Sequence, residues 1–254
     1  MGTSVDLDGD RLVVGAPFAD QVALYEAPDG VWELVTTLSS PNQDDREIYG
    51  QHVALEGDVL IVSDPDRERN SDDCCMGEVY FYRRSQAGAW NLETSQSPMG
   101  DEDTGIGESI DLHGGRVLIT SGEDLDEAFL YEQGGGGWTW WTLPGAPGGP
   151  NSYNYGRASD LHDPWIVIGD HREPKVHVFD VSSGGPSSGL SYAEALQGEP
   201  GSRFGSQVHV TEDLDLLVGA PWQNEGGLPE TGAVIVYERG PLRWTSRGTL
   251  SVPT

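Results

Sequence analysis

The chain repeats itself, and that periodicity limits its possible folds more than any single motif does. RLVVGAP at residues 11–17 returns as DLLVGAP at 215–221. A short run of branched apolar residues specifies a buried strand. Gly15 and Gly219 are read as letting the backbone turn, and Pro17 and Pro221 as stopping the strand. A second marker, a large apolar residue followed by glycine, opens five units: Met1-Gly2, Tyr49-Gly50, Ile106-Gly107, Tyr155-Gly156 and Phe204-Gly205. These starts lie 48, 57, 49 and 49 residues apart, and a fixed period of this size is the signature of a repeat architecture.

Each unit runs through the same events. An alternating segment (V5-D-L, V53-A-L, I110-D-L, S159-D-L, V208-H-V) leads through a tight turn into a second strand, LVVGAP, LIVSDP, VLITSG, IVIGDH or LLVGAP. A third strand carries a recurrent aromatic at Tyr25, Tyr82, Tyr131, Phe179 and Tyr237, and a fourth reads WELVTTL, WNLETS, WTWWTL, a weaker SYAEAL, and WTSRGTL. Four short antiparallel strands per unit, with no helical run, predict an all-β, five-bladed β-propeller formed as a single domain over 1–254, with blades at about 1–48, 49–105, 106–154, 155–203 and 204–254. One such sheet cannot bury both faces, so adjacent blades must cover each other. Trp32, Trp90, Trp138 and Trp244, near the start of the fourth strand, are expected to pack against the adjacent blade, and Trp165 to lie in the core.

Phe204-Gly205 followed by Gly219-Ala220-Pro221 resembles the FG-GAP repeat, the unit of the integrin α-subunit propeller and of many bacterial surface proteins. The similarity covers the whole chain, strongly in the first and fifth units and in outline in the third and fourth. It implies an extracellular or cell-surface, ligand-recognising propeller, one FG-GAP-like repeat per blade. The ligand surface would be built on one rim from the loops between second and third strands and the links between blades. Integrin propellers have seven longer repeats. The five whole units here favour a complete small propeller of consecutive strands, with a piece of a larger ring as the alternative. The family's calcium loop, between first and second strands, is not matched: Asp6-Leu7-Asp8-Gly9-Asp10 is several residues too short. No cofactor is therefore expected, calcium being possible without its family-type loop.

The chain has 42 acidic residues against 14 basic ones, with a net charge of −28 and Lys175 as its one lysine. That sign excludes a general nucleic-acid or anionic-membrane surface. The acids collect in the loops of the expected ligand rim: Asp44, Asp45 and Glu47; Asp64, Asp66, Glu68, Asp72 and Asp73; Asp101, Glu102 and Asp103; Glu123, Asp124, Asp126 and Glu127. Such a rim would draw divalent cations or a basic partner, against the plain alternative of a solvated surface. Two long loops, 64–77 and 220–232, stand on the same rim, where insertions in repeat proteins gather. Trp222, outside the fourth-strand pattern, is the candidate exposed anchor.

Cys74 and Cys75 are adjacent, either as a strained vicinal disulfide or as two thiols, and leave the compartment open. The six histidines form no HExxH, and no nucleophile elbow occurs. His113 and His162 fall on equivalent hairpin turns, read as repeat drift and not as a dyad. No enzyme is expected. No signal peptide, lipidation motif or spanning apolar run is present, and Met1 opens directly on a strand, compatible with excision from a longer precursor. The expected protein is a non-catalytic recognition module binding a protein or glycan, without nucleic acid or membrane insertion, as a monomer or part of a larger chain. A lectin-like propeller and a purely structural one are the alternatives.

Overall fold

The computed structural model describes residues 2–42, 48–66, 77–98, 105–121, 127–143, 155–181, 191–224, 231–241 and 243–251. Among the described residues, twenty strands form five four-stranded antiparallel sheets, each from four consecutive strands in chain order, as the repeats predict. The first sheet holds β1 (Val5–Asp8), β2 (Arg11–Ala16), β3 (Gln21–Glu26) and β4 (Glu33–Ser39). The second holds β5 (Val53–Glu56), β6 (Val59–Asp64), β7 (Glu78–Arg84) and β8 (Trp90–Gln96). The third holds β9 (Ser109–His113), β10 (Arg116–Thr120), β11 (Ala128–Gly134) and β12 (Gly137–Thr142). β13 (Tyr155–His162), β14 (Trp165–Asp170), β15 (Lys175–Asp180) and β16 (Ser191–Gln197) make the fourth, and β17 (Gln207–Val210), β18 (Leu216–Ala220), β19 (Ala233–Arg239) and β20 (Trp244–Leu250) the fifth. Pro17 ends β2 and starts a single 3-10 turn, Pro17–Ala19.

The chain divides into two compact units, Met1–Leu112 and His113–Thr254. In the first, Val13, Val22 and Leu24 of the first sheet share a buried cluster with Tyr49, Val53, Leu55, Leu60, Val62, Tyr80 and Tyr82 of the second repeat. In the second, Leu118 and Leu130 pack with Tyr155, Leu161, Ile166 and Phe179, and a further cluster joins Trp165, Val167 and Val176 to Phe204, Leu216 and Trp244. Each cluster is thus shared by two consecutive sheets, which removes apolar surface that neither sheet could bury alone.

The aromatic-glycine marker makes these junctions. Tyr49, Ile106, Tyr155 and Phe204 are 0, 0, 4 and 1% exposed. Gly50, Gly107, Gly156 and Gly205 take positive φ of 92, 95, 89 and 90°, a conformation glycine adopts without steric cost. Within its own repeat, Gly50 donates its N–H to the Ser63 carbonyl at 3.0 Å, and Gly205 donates to the Gly219 carbonyl at 3.0 Å. Toward the preceding sheet the fit is backbone against backbone. A β-carbon on Gly15 would lie 2.1 Å from the Gly50 carbonyl oxygen, and one on Gly169 would lie 2.0 Å from that of Gly205. This corrects the sequence reading of Gly15: it sits inside β2 at negative φ, and glycine stands there so that the next repeat can approach, not to turn the chain.

The first strands are stapled side by side. Ser4 Oγ accepts the Val53 N–H at 3.2 Å, Asp6 accepts that of Leu55 at 2.6 Å, and Asp8 that of Gly57 at 2.7 Å. Asp160, the fourth-repeat counterpart of Asp6, accepts the Val210 N–H. Arg11 reaches the Gly57 carbonyl and Asp58, as Arg116 reaches Asp163 at 2.6 Å from the same register position. The fourth-strand tryptophans divide. Trp244 is 3% exposed and meets the buried Trp165 edge-on at 5.8 Å, Trp90 packs partly buried on the first unit's cluster, and Trp138 is half-buried. Trp32, 44% exposed and just outside β4, departs from the expected packing because the strand begins one residue after it.

Candidate loop-rim site

The expected rim residues meet different fates. Trp222 is 45% exposed and Asp66 is exposed. Asp64 is fully buried at the end of β6, where its Oδ1 accepts the Ile48 N–H at 3.0 Å. The reading that placed Asp64 on the ligand surface is thereby corrected: its carboxylate anchors the residue that precedes the Tyr49-Gly50 marker. Asp44, Asp45, Glu68, Asp72, Asp73, Asp101, Asp103 and Asp124 lie outside the described residues, as do Cys74 and Cys75. Among the described residues, no group of three or more His, Cys, Asp or Glu side chains is placed to hold a metal ion. In the short Asp6–Asp10 turn, Asp6 and Asp8 are already committed to backbone N–H groups of the second repeat.

A cationic, aromatic site lies in the second unit around Trp222. The Arg203 guanidinium sits over the indole ring, 3.5 Å from its centroid, a cation–π contact on the ring's negative face. Hydrogen bonds fix both partners. The Trp222 N–H donates to the Ser202 carbonyl at 3.0 Å, the Ser202 hydroxyl to the Glu199 carbonyl at 2.7 Å, and the Ser206 hydroxyl to the Arg203 carbonyl at 2.6 Å. Arg203 holds φ at +55°, a left-handed conformation that few non-glycine residues adopt and that surrounding contacts must maintain. The contact therefore sets the indole and guanidinium face to face on anchored backbone.

Other cations lie close by. His171, half-buried after β14, has its pKa held below the ordinary imidazole range, first by burial and then by Arg203, Arg157 and Arg172, with Asp170 acting in opposition. Arg157, Arg172 and Arg203 are all exposed. Guanidinium groups whose charges reach His171, one of them over an exposed indole, suit a carboxylate or other anionic group together with an apolar or planar one. The signal for this site was present in the sequence: cations are scarce, and Arg157, Arg172 and Arg203 all fall beside rim loops of the fourth and fifth repeats.

The equivalent turns carrying His113 and His162 are neighbours in space. The two rings stack with centroids 4.2 Å apart and planes 29° apart, beside the Arg116–Asp163 ion pair. Repeat equivalence itself brings them together, since matching positions of consecutive sheets lie side by side. This refines the reading of simple drift.

No family model and no curated protein matches this chain. Solved structures do. A functionally unknown protein from Desulfotomaculum acetoxidans superposes with a TM-score of 0.63 at 9% identity, over 98% of this chain and 69% of its own. A Lactobacillus plantarum protein gives 0.65 at 11% identity, over 98% and 71%. The β-propeller domain of Cps50 (Swd1) from Myceliophteria thermophila gives 0.64 at 12% identity, again over 98% and 71%. At these identities the likeness is one of fold. The architecture is that of a β-propeller, of which this chain contributes five blades. The described residues contain no helix long and apolar enough to cross a membrane.

Proposed function

We propose that this propeller is a non-catalytic recognition module that binds a protein ligand through its loop rim, in an extracellular or cell-surface setting. The observation that carries the reading is the Arg203–Trp222 pair: a large aromatic left exposed just after β18, with a cation over its ring and its backbone N–H bonded to Ser202. Rigid, partly exposed Trp and Arg are the residues that dominate binding energy at protein interfaces. The resemblance of the repeats to FG-GAP units supports the same class of function. The ligand would offer an acidic group to Arg157, Arg172 and Arg203.

A lectin-like reading is favoured by the exposed indole alone. Arg203 already covers one face of that ring, which leaves a sugar only the other. Salt separates the two readings. Binding partners selected from protein and glycan panels would be titrated with wild type, Trp222→Ala and Arg203→Ala at low and high ionic strength. A protein ligand whose affinity drops at least tenfold in both variants, and weakens with salt, fits the proposal. Binding that both variants leave intact would sink this site as the contact surface.

A further inference from the structure

Asp8 ends the first strand of its repeat and reaches the hairpin of the next, where its carboxylate accepts the Gly57 N–H at 2.7 Å. His113 and His162 end the first strands of the third and fourth repeats. The same register relationship, with histidine on both sides, brings two like side chains together: the ring centroids are 4.2 Å apart and the planes 29° apart. Both histidines are half-buried, and both belong to the second compact unit.

The residues around them hold the two turns in place. Arg116, three positions past His113, pairs with Asp163, the neighbour of His162, at 2.6 Å, and reaches Glu132 at 3.2 Å. Gly114 faces the same carboxylate: a β-carbon on it would lie 3.1 Å from Asp163 Oδ2. Trp165, the cross-strand partner of His162, is buried. An ion pair on one side and a core residue on the other therefore fix the backbone beneath the rings.

This arrangement has a chemical use. Imidazole nitrogen is a borderline donor that suits Cu²⁺, Ni²⁺ and Zn²⁺. Bonds of about 2.0–2.1 Å to one ion place two donor nitrogens about 3 Å apart. Rings stacked at 4.2 Å reach that separation along one edge after a small side-chain rotation. The fold has already gathered the two donors, so an ion gains a chelate without ordering a loop. The net charge of −28 raises the concentration of any cation near the surface.

We infer that His113 and His162 form a two-nitrogen chelate for a divalent transition-metal ion, with water completing the coordination sphere. It has fewer protein ligands than the three-residue groups absent among the described residues, and its affinity should rank below that of a closed structural site. Cu²⁺ should bind most tightly, ahead of Ni²⁺ and Zn²⁺. Ca²⁺ and Mg²⁺, which take oxygen ligands, should not compete. The site is independent of the Arg203–Trp222 site. His162 and His171 flank opposite ends of the six-residue strand β14, so roughly 17 Å of extended chain separates them.

Calorimetric titration of the untagged chain with Zn²⁺, in excess Mg²⁺ and Ca²⁺ to occupy carboxylates, tests this. Wild type should hold one Zn²⁺ that the hard cations do not displace. His113→Thr and His162→Thr should each weaken it by at least roughly tenfold, the lower end of what even outer-shell changes cost at a metal site. Threonine is chosen because Thr211 follows the first strand at the matching place in the fifth repeat. The double variant should bind little worse than either single one, since one imidazole cannot chelate. His209→Gln, outside the pair and 63% exposed in its side chain, should leave binding unchanged. The EPR spectrum of added Cu²⁺ supplies a second readout: two coordinated nitrogens in wild type, and at most one in either threonine variant. Zn²⁺ binding that survives both substitutions, or that Mg²⁺ and Ca²⁺ abolish, overturns the inference. So does a wild type that binds no Zn²⁺, or whose Cu²⁺ spectrum lacks two nitrogens.

Discussion

The carbonyl oxygen of Gly50 lies 2.1 Å from where a β-carbon on residue 15 would be. No side chain fits there without moving one repeat off the next. Gly15→Ala is expected to cost about 1–3 kcal/mol, the usual penalty for overfilling a packed interior. Gly219→Ala, in the matching position of the fifth repeat with its nearest neighbour at 3.3 Å, should cost clearly less. Urea midpoints of the two variants give the comparison, and equal losses would remove the junction explanation of the glycine.

Asp6 joins the first strand to the second repeat through the Leu55 N–H at 2.6 Å. Burial raises its pKa above the ordinary carboxyl value, more than its hydrogen bonds from Leu55 and Leu7 lower it, and Asp8 adds to the rise. A carboxyl raised in the folded state stabilises the fold most below its unfolded pKa, and loses that contribution as pH rises through the folded value. At neutral pH, Asp6→Asn should therefore be neutral or stabilising, since its amide oxygen still accepts the N–H. Asp6→Ala should cost about 1–3 kcal/mol by orphaning it. As pH falls through the raised pKa, wild type should gain on Asp6→Asn; parallel stability curves would contradict the assignment.

His52 behaves with the opposite sign. Burial lowers its pKa below the ordinary imidazole value, so the fold favours the neutral ring. That contribution is complete above the unfolded pKa of about 6.5 and is lost as pH falls toward the folded value. The stability difference between wild type and His52→Gln should accordingly narrow between about pH 8 and pH 5. A gap that widens toward acid would show the ring charged in the folded state.

Arg203 and Trp222 should be energetically coupled. A double-mutant cycle of Arg203→Ala and Trp222→Ala, read in denaturant, is expected to return about 0.5–1 kcal/mol, the range for an exposed cation–π pair. Strict additivity would mean that the guanidinium rests over the ring without holding it.

The architecture was legible because it is written five times: strand order and the position of each hairpin follow from the aligned repeats. The purpose of Gly15 was not legible, because the atom that requires it belongs to Gly50, in the next repeat, and local sequence shows only that a glycine is present. Asp64 was misplaced for a similar reason. Its position beside a long loop suggested solvent, while the chain returning toward Tyr49 covers it and gives it an N–H to accept. Arg157, Arg172 and Arg203 were not legible as a group, because they stand far apart in sequence among 42 acids and only the fold relates them. Trp222 stood out from the tryptophan pattern, and its exposure agrees with that.

Joints made by one main chain resting on another ask almost nothing of side chains beyond a glycine or a small residue. Between such joint residues, the segments that leave the sheets after β2, β6, β10, β14 and β18 differ in length and sequence from one repeat to the next while the sheets keep the same strand order. A molecule built this way can acquire a new specificity by exchanging one loop, leaving every joint as it was, and it makes a natural starting point for grafted or randomised loop libraries.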